Sequence, residues 1–265
     1  MINEPKHLNE YYSTRNEDDR LGTRHGSVEF LTTMRYIDKY LKPSNKIIEI
    51  GAGTGRFSHA LAQKGYCVDA VELIEHNIEL FKQYTRPGEN ITIVQGNVLD
   101  LSAFADETYD ITLLLGPMYH LFTMDDKRQA ISEALRVTKK GGVVFAAYII
   151  AESSLINQGF KREVYSISDF IEKGLIDPVT FATSSNPEML FELIRKDDID
   201  EIMSPFYVAR LHYVATDGLA LHLRDEMESW DEAKFDLYLR YHYATCERQD
   251  MVGVTAHSLD IFRKH

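Results

Sequence analysis

The residues best suited to chemistry fall in four short loops. The first, Glu49-Ile50-Gly51-Ala52-Gly53-Thr54-Gly55-Arg56, begins inside the apolar run KIIEI and opens an amphipathic stretch. Glycines at a strand-to-helix turn let backbone approach a ligand closely. The helix that follows offers unpaired N–H groups and the positive end of its dipole, so a pyrophosphate or a carboxylate would suit the place. The spacing is G-x-G-x-G, with the Glu49 carboxylate two residues before the first glycine. A dinucleotide fingerprint, G-x-G-x-x-G, needs glycine where Arg56 stands, which disfavours a dinucleotide oxidoreductase. Glu72 closes a second apolar run 17 residues after Gly55, and an acid there can accept both hydroxyls of a ribose. A third run leads to Asn97-Val98, where the amide can donate and accept at an adenine edge and the valine can lie on its face. A fourth passes through Leu115 into Gly116-Pro117-Met118-Tyr119-His120. His120 is a candidate base or substrate-orienting group, with Tyr119 beside it; loop capping and core packing are the competing roles. Upstream, Tyr12 and Arg20 are candidates to fold over a ligand, and Arg20 can pair a carboxylate bidentately. A solvated N-terminal helix is the competing reading for both.

These loops need a frame. Residues 46–50, 67–73, 91–95, 109–115 and 143–150 read as strands, the fourth almost wholly apolar as a central parallel strand should be. Residues 54–64, 74–84 and 125–138 read as the helices between them. Gly65 stops the first, and Lys139-Lys140-Gly141-Gly142 ends the last. Alternating strand and helix implies βαβ units and a parallel sheet. All four loops then fall at strand C-terminal ends, where open α/β sheets bind ligands. Before the first strand, Val28, Leu31, Met34, Ile37 and Leu41 mark a helix closed by Pro43. After Ile150 the rhythm breaks over 151–184 and again over 217–250. Between and beyond the breaks, 187–196 reads as a helix with proline in its first turn, 207–215 as a strand and 257–262 as a last strand. Ser229-Trp230-Asp231-Glu232 reads as a capping box opening a helix crowded with Phe235, Tyr238, Tyr241 and Tyr243. Core packing is the leading role for those aromatics, pocket lining the lesser one. No Pro/Gly/Ser-rich linker divides the chain. The expectation is one domain over 1–265: a helical cap (1–45), a ligand-binding core (46–150), two lid insertions (151–184 and 217–250), and 185–216 with 251–265 completing the sheet.

On the glycine loop, Glu72 and Asn97-Val98, residues 46–150 resemble the core of a class I S-adenosylmethionine-dependent methyltransferase. The run Gly116-Pro117-Met118-Tyr119-His120-Leu121 is similar to bacterial small-molecule members of that superfamily. The resemblance implies a Rossmann-like α/β fold: a seven-stranded sheet of order 3-2-1-4-5-7-6 with strand 7 antiparallel, helices on both faces and helical lid insertions. It implies S-adenosylmethionine as cofactor and S-adenosylhomocysteine as product. The residues it assigns to the cofactor are Glu49, Gly51, Ala52, Gly53 and Gly55 in the loop, Glu72 and Leu73 at the ribose, and Asn97 and Val98 at adenine. Leu115 joins them, and Tyr12 and Arg20, read as folding over the ligand, complete the cofactor-binding set. The family more often has Asp where Asn97 stands; Asn keeps the acceptor oxygen and loses the charge. Methyl transfer from a sulfonium is an in-line displacement that needs alignment, exclusion of water and at most one proton acceptor, so no catalytic triad need be visible. Glu72→Ala is expected to weaken cofactor binding with little unfolding.

The 265 residues carry a net charge of −12, with 44% hydrophobic and 26% charged residues, ordinary usage for a soluble globular protein. An acidic balance argues against nucleic acid or an anionic membrane as partner. No apolar run is long enough to span a bilayer, and the N-terminus lacks a secretory apolar segment. A small-molecule acceptor and a bacterial cytoplasmic setting are the expectation. A tRNA-base methyltransferase and a non-catalytic S-adenosylmethionine-binding protein are the alternatives. The acceptor atom and the oligomeric state stay open. Cys67 and Cys246 form no Cys-x-x-Cys pair and read as core fillers. His212, His222, His242 and His257 have no metal-ligand spacing, so no metal site is expected.

Overall fold

The computed structural model describes residues 6–14 and 21–265. Strands β1 (Lys46–Ile50), β2 (Cys67–Glu72), β3 (Ile91–Gln95), β4 (Tyr109–Leu114) and β5 (Thr138–Ile149) pair in parallel. Strand β7 (His257–Lys264) is antiparallel both to β5 and to β6 (Val208–Ala215). The sheet order is β3-β2-β1-β4-β5-β7-β6, as the resemblance implies. The helices are α1 (Lys6–Tyr12), α2 (Arg24–Tyr40), α3 (Arg56–Gln63), α4 (Glu75–Tyr84) and α5 (Met124–Val137). After the parallel strands come α6 (Ala151–Ser154), α7 (Ile167–Glu172), α8 (Lys196–Met203), α9 (Arg224–Met227), α10 (Glu232–Thr245) and α11 (Gln249–Val252).

Side chains alternate across a strand, so successive isoleucines of β1 serve opposite faces. Ile48, Ile50 and Leu114 pack with Ile131 of α5 and Ile199 of α8, whereas Ile47, Ile111, Leu113 and Phe145 pack with Ile37 of α2 and Leu61 of α3. Both faces of the central strands are therefore covered, which is why their sequences are continuous apolar runs. Helix α2 begins at Thr23, whose hydroxyl accepts from the Gly26 N–H (3.1 Å). Among the described residues, no helix is long and apolar enough to cross a membrane.

Three local expectations are corrected. Lys139-Lys140-Gly141-Gly142 does not close a helix; it is the opening of β5, entered directly from α5. There Thr138 pairs with Tyr109, and the register shifts before Ile111 meets Val143. The Thr138 hydroxyl, which donates to Ala134 O and meets Thr112 Oγ1, both at 2.6 Å, fixes the change from helix to strand. Second, 187–196 is not a helix. Only Pro187–Met189 forms a tight turn, after which Ile194 bridges to Ile150 and Leu193 O accepts from the Thr183 hydroxyl. Pairing with the end of the sheet overrides the local preference, and α8 starts only at Lys196, where the Asp198 carboxylate accepts from the Arg195 N–H (2.7 Å). Third, the Ser229 hydroxyl donates to Glu226 O behind α9 rather than capping α10. The cap is Asp231, which accepts from the Lys234 N–H (2.8 Å). Of the α10 aromatics, Phe235 and Tyr238 are packing residues that close on Val28, Ala220 and Met227, whereas Tyr241 is exposed. Cys246 is buried against the Tyr36 hydroxyl, and burial pushes its thiol up, so it fills space rather than reacts.

Candidate functional site

The C-terminal ends of β1, β2, β3 and β4 open into a cavity of about 690 Å³, inside the range of about 300–1,000 Å³ usual for small-molecule sites. Of the residues singled out in the sequence, Glu49, Gly51, Ala52, Gly53, Glu72, Leu73, Asn97, Val98, Leu115, Tyr119, His120 and Tyr12 all line it. Gly55 stands just behind, as the left-handed residue before α3 (φ 92°). Arg20 lies outside the described residues.

The glycine loop is tied to the neighbouring strand by a side chain. Glu72 Oε2 accepts from the Gly53 N–H (2.7 Å), while Oε1 accepts from the Ile74 N–H (2.9 Å) and the Asn77 amide (3.4 Å). Burial pushes the Glu72 carboxyl up, and these donors pull against it. The acid thus holds the loop as well as facing the cavity, so Glu72→Ala is expected to loosen the loop as well as weaken cofactor binding. Removing it strands two backbone donors, at about 1–3 kcal/mol for each left buried without a partner. Gly53 has φ 56°, and a Cβ built there meets no atom within 4 Å, so the loop faces open space at that residue. Glu49 is buried and takes the Ser58 hydroxyl, bracing the first turn of α3 against β1. Asn97 Oδ1 accepts from the Leu99 N–H (3.0 Å). Its amide group is therefore turned so that the oxygen serves the loop and the NH2 is the end left for a ligand, a donor where the more usual Asp has only acceptors.

His120 sits in a short 3-10 turn, Pro117–His120. Its Nδ1 faces Leu190 O at 2.8 Å, so that nitrogen carries the proton. Nε2 then accepts from the Tyr12 hydroxyl at 2.9 Å. Phe191 and Tyr11 close around the pair. Burial lowers the His120 pKa to about 4, with the Leu190 carbonyl opposing. The ring is neutral at pH 7 in the folded chain and, for the most part, in the unfolded one. As pH falls from about 6.5 towards 4, the unfolded chain takes up a proton that the folded ring refuses, so stability falls with pH in that window. Between pH 7 and pH 5 the expected loss from this group is about 2 kcal/mol. Urea denaturation at the two pH values should show the difference shrink by that amount in His120→Gln; an unchanged difference would show that His120 does not titrate this way.

The structure also brings together residues the sequence did not connect. Glu29 of α2, Asp217 after β6 and His257 at the start of β7 meet in the cavity wall. They lie far apart in sequence, so no spacing rule finds them. Ser154, Gln158, Tyr165, Phe170 and Ile176 line the cavity from 151–184, and Asp217 and Leu221 from 217–250.

Known proteins agree with this geometry. Residues 48–146 match the family model described as a methyltransferase domain. A demethylmenaquinone methyltransferase of Renibacterium salmoninarum is 30% identical over 146 residues, 55% of each chain. The chain thus spans about half the length of the curated relatives it matches. Among solved structures, the PH0226 protein of Pyrococcus horikoshii superposes with a TM-score of 0.62 at 17% identity, over 97% of this chain and 99% of that one. A SAM-dependent methyltransferase of Methanosarcina mazei gives 0.56 at 18% identity, over 86% and 96%. The domain match over residues 48–146 and the sheet order agree: the chain is similar to the class I S-adenosylmethionine-dependent methyltransferase superfamily and shares its fold. The cofactor of that superfamily is S-adenosylmethionine, and the residues present fit it. Gly53 opens on space, Glu72 Oε2 keeps a lone pair beyond the Gly53 bond, and the cavity continues past both to Asn97 and Val98.

Proposed function

We propose that the chain binds S-adenosylmethionine at the ends of β1–β4 and transfers its methyl group to a small-molecule acceptor held in the same cavity. The observation that carries this reading is the continuity of that cavity: the glycine loop, Glu72 and the Tyr12–His120 pair share one wall system with residues of 151–184 and 217–250. In this reading the glycine loop and the first turn of α3 hold the carboxylate end, Glu72 takes the ribose hydroxyls, and Asn97 and Val98 take adenine. The cofactor supplies an electrophilic methyl on a sulfonium. The two insertions act as the lid that excludes water. Tyr12 and His120 handle the proton: an acceptor O–H or N–H gives its proton to the Tyr12 oxygen as the Tyr12 proton passes to His120 Nε2. Leu190 O then stabilises the imidazolium through Nδ1. The Renibacterium relative is named for a demethylmenaquinone. A flat, largely apolar acceptor suits the aromatic lining here, where Tyr165 stacks on Phe170 with ring centroids 4.7 Å apart.

The test is transfer of label. Protein is incubated with methyl-labelled S-adenosylmethionine and, separately, the low-molecular-weight and tRNA fractions of a bacterial lysate. Label should appear in the small-molecule fraction. Label confined to tRNA would overturn the acceptor class, and label in neither would count against transfer itself.

A further inference from the structure

Glu29, Asp217 and His257 have no part in the methyl transfer just described, yet they converge on one point of the cavity wall. His257 Nδ1 lies 3.1 Å from Asp217 Oδ2 and 3.3 Å from Glu29 Oε2. One ligand atom from each residue falls within 4.8 Å of the other two.

Asp217 is oriented from behind. Its Oδ1 accepts from the Thr255 hydroxyl, the Ala256 N–H (3.0 Å) and the His257 N–H (3.1 Å). That leaves Oδ2 turned to the His257 ring. Burial pushes this carboxyl up, but the His257 ring and the donors on Oδ1 outweigh it and hold it well below the usual carboxylate range. Ligating carboxylates and imidazoles are commonly aimed by such outer hydrogen bonds.

The two nitrogen-to-oxygen separations are those of donors around one ion. Atoms bound at about 2.1 Å to a common cation stand roughly 3.0–3.4 Å apart, and both N···O distances already fall there. One imidazole nitrogen with two carboxylate oxygens suits manganese, iron or zinc better than calcium, which prefers oxygen alone. We propose that Glu29, Asp217 and His257 bind a divalent transition-metal ion in the cavity wall, with its remaining coordination positions open to the cavity. The ion takes the place of the Nδ1 proton, which leaves to solvent. Binding by these three side chains is independent of the methyl-transfer reading; only an ion's contact with an acceptor would rest on it.

The full chain is titrated with Mn²⁺, followed by electron paramagnetic resonance and calorimetry, without S-adenosylmethionine. The expected result is saturable binding of one ion per chain, weakening as pH falls because protons compete for the ligands. Glu29→Gln and His257→Ala should each weaken it by at least about tenfold, with thermal denaturation showing that both variants fold. Asp217 is left intact because it also holds the turn at 255–257. Absence of saturable binding, or equal affinity in both folded variants and the parent chain, overturns the site. S-adenosylmethionine titrations of the same preparations separate the two readings: a chain that binds cofactor but no Mn²⁺ contradicts this site alone, and the reverse contradicts the cofactor reading alone.

Discussion

Gly53→Arg is expected to remove S-adenosylmethionine binding while leaving the protein folded. A Cβ at Gly53 meets nothing within 4 Å, so the new side chain enters the cavity rather than the core. In the proposed site it displaces the cofactor from Glu72 and from the loop N–H groups. Two charge-assisted bonds at about 1.5–3 kcal/mol each amount to roughly 10²–10⁴-fold in affinity. The positive φ of 56° adds a modest strain, on the order of 1–2 kcal/mol. Gly55 makes the contrast. A Cβ there would stand 2.5 Å from the Phe81 ring and 2.7 Å from His59 Nε2, at φ 92°. Gly55→Ala therefore meets packed side chains, and overpacking together with the left-handed backbone should cost about 2–5 kcal/mol of stability. Calorimetry and thermal denaturation of the two variants test the pair. Loss of binding in a Gly53→Arg protein that melts near the parent supports the assignment. Retained affinity there would mean that the ligand sits elsewhere.

Tyr12→Phe and His120→Asn are expected to lower turnover by about 10²–10⁴-fold, the usual worth of a positioned proton acceptor, with cofactor affinity changed only a few-fold. Both effects come from one relay. The Tyr12 hydroxyl is bonded to His120 Nε2, and His120 cannot accept an acceptor's proton directly without first losing that bond. The two single variants and the double variant should consequently show similar rates, since residues acting as a unit are not additive. Single-turnover kinetics with the acceptor found by label transfer would measure this. A Tyr12→Phe chain as fast as the parent would leave Tyr12 as a wall of the cavity and return the base role to His120 or to the acceptor's own acidity.

The half of the molecule that carries the glycine loop was readable because its rules are local. Strands buried on both faces are short apolar runs, Gly65 stops a helix where a left-handed residue is needed, and Glu72 falls at a fixed distance along the βαβ unit. The second half was less legible because long-range pairing decides it. Nothing in 190–195 announces that Ile194 will bridge to Ile150, and that bridge is what removes the expected helix. Asp231 and Ser229 are both good caps by composition, and only the end of α9 decides between them. In the site, residue types were visible but their directions were not. The Asn97 oxygen turns inward to Leu99, His120 is held between Tyr12 and Leu190, and Glu29, Asp217 and His257 meet across the fold. Residues 151–184 and 217–250 showed in the sequence only as breaks in rhythm, and which of their side chains line the cavity is decided by the tertiary fold.

The most direct measurement is calorimetric titration of the purified chain with S-adenosylmethionine and S-adenosylhomocysteine, with NAD as control. The account predicts saturable one-to-one binding of the first two and none of NAD, with binding lost in Gly53→Arg. Failure of both adenosyl ligands to bind the folded chain, or tighter binding of NAD, would contradict it.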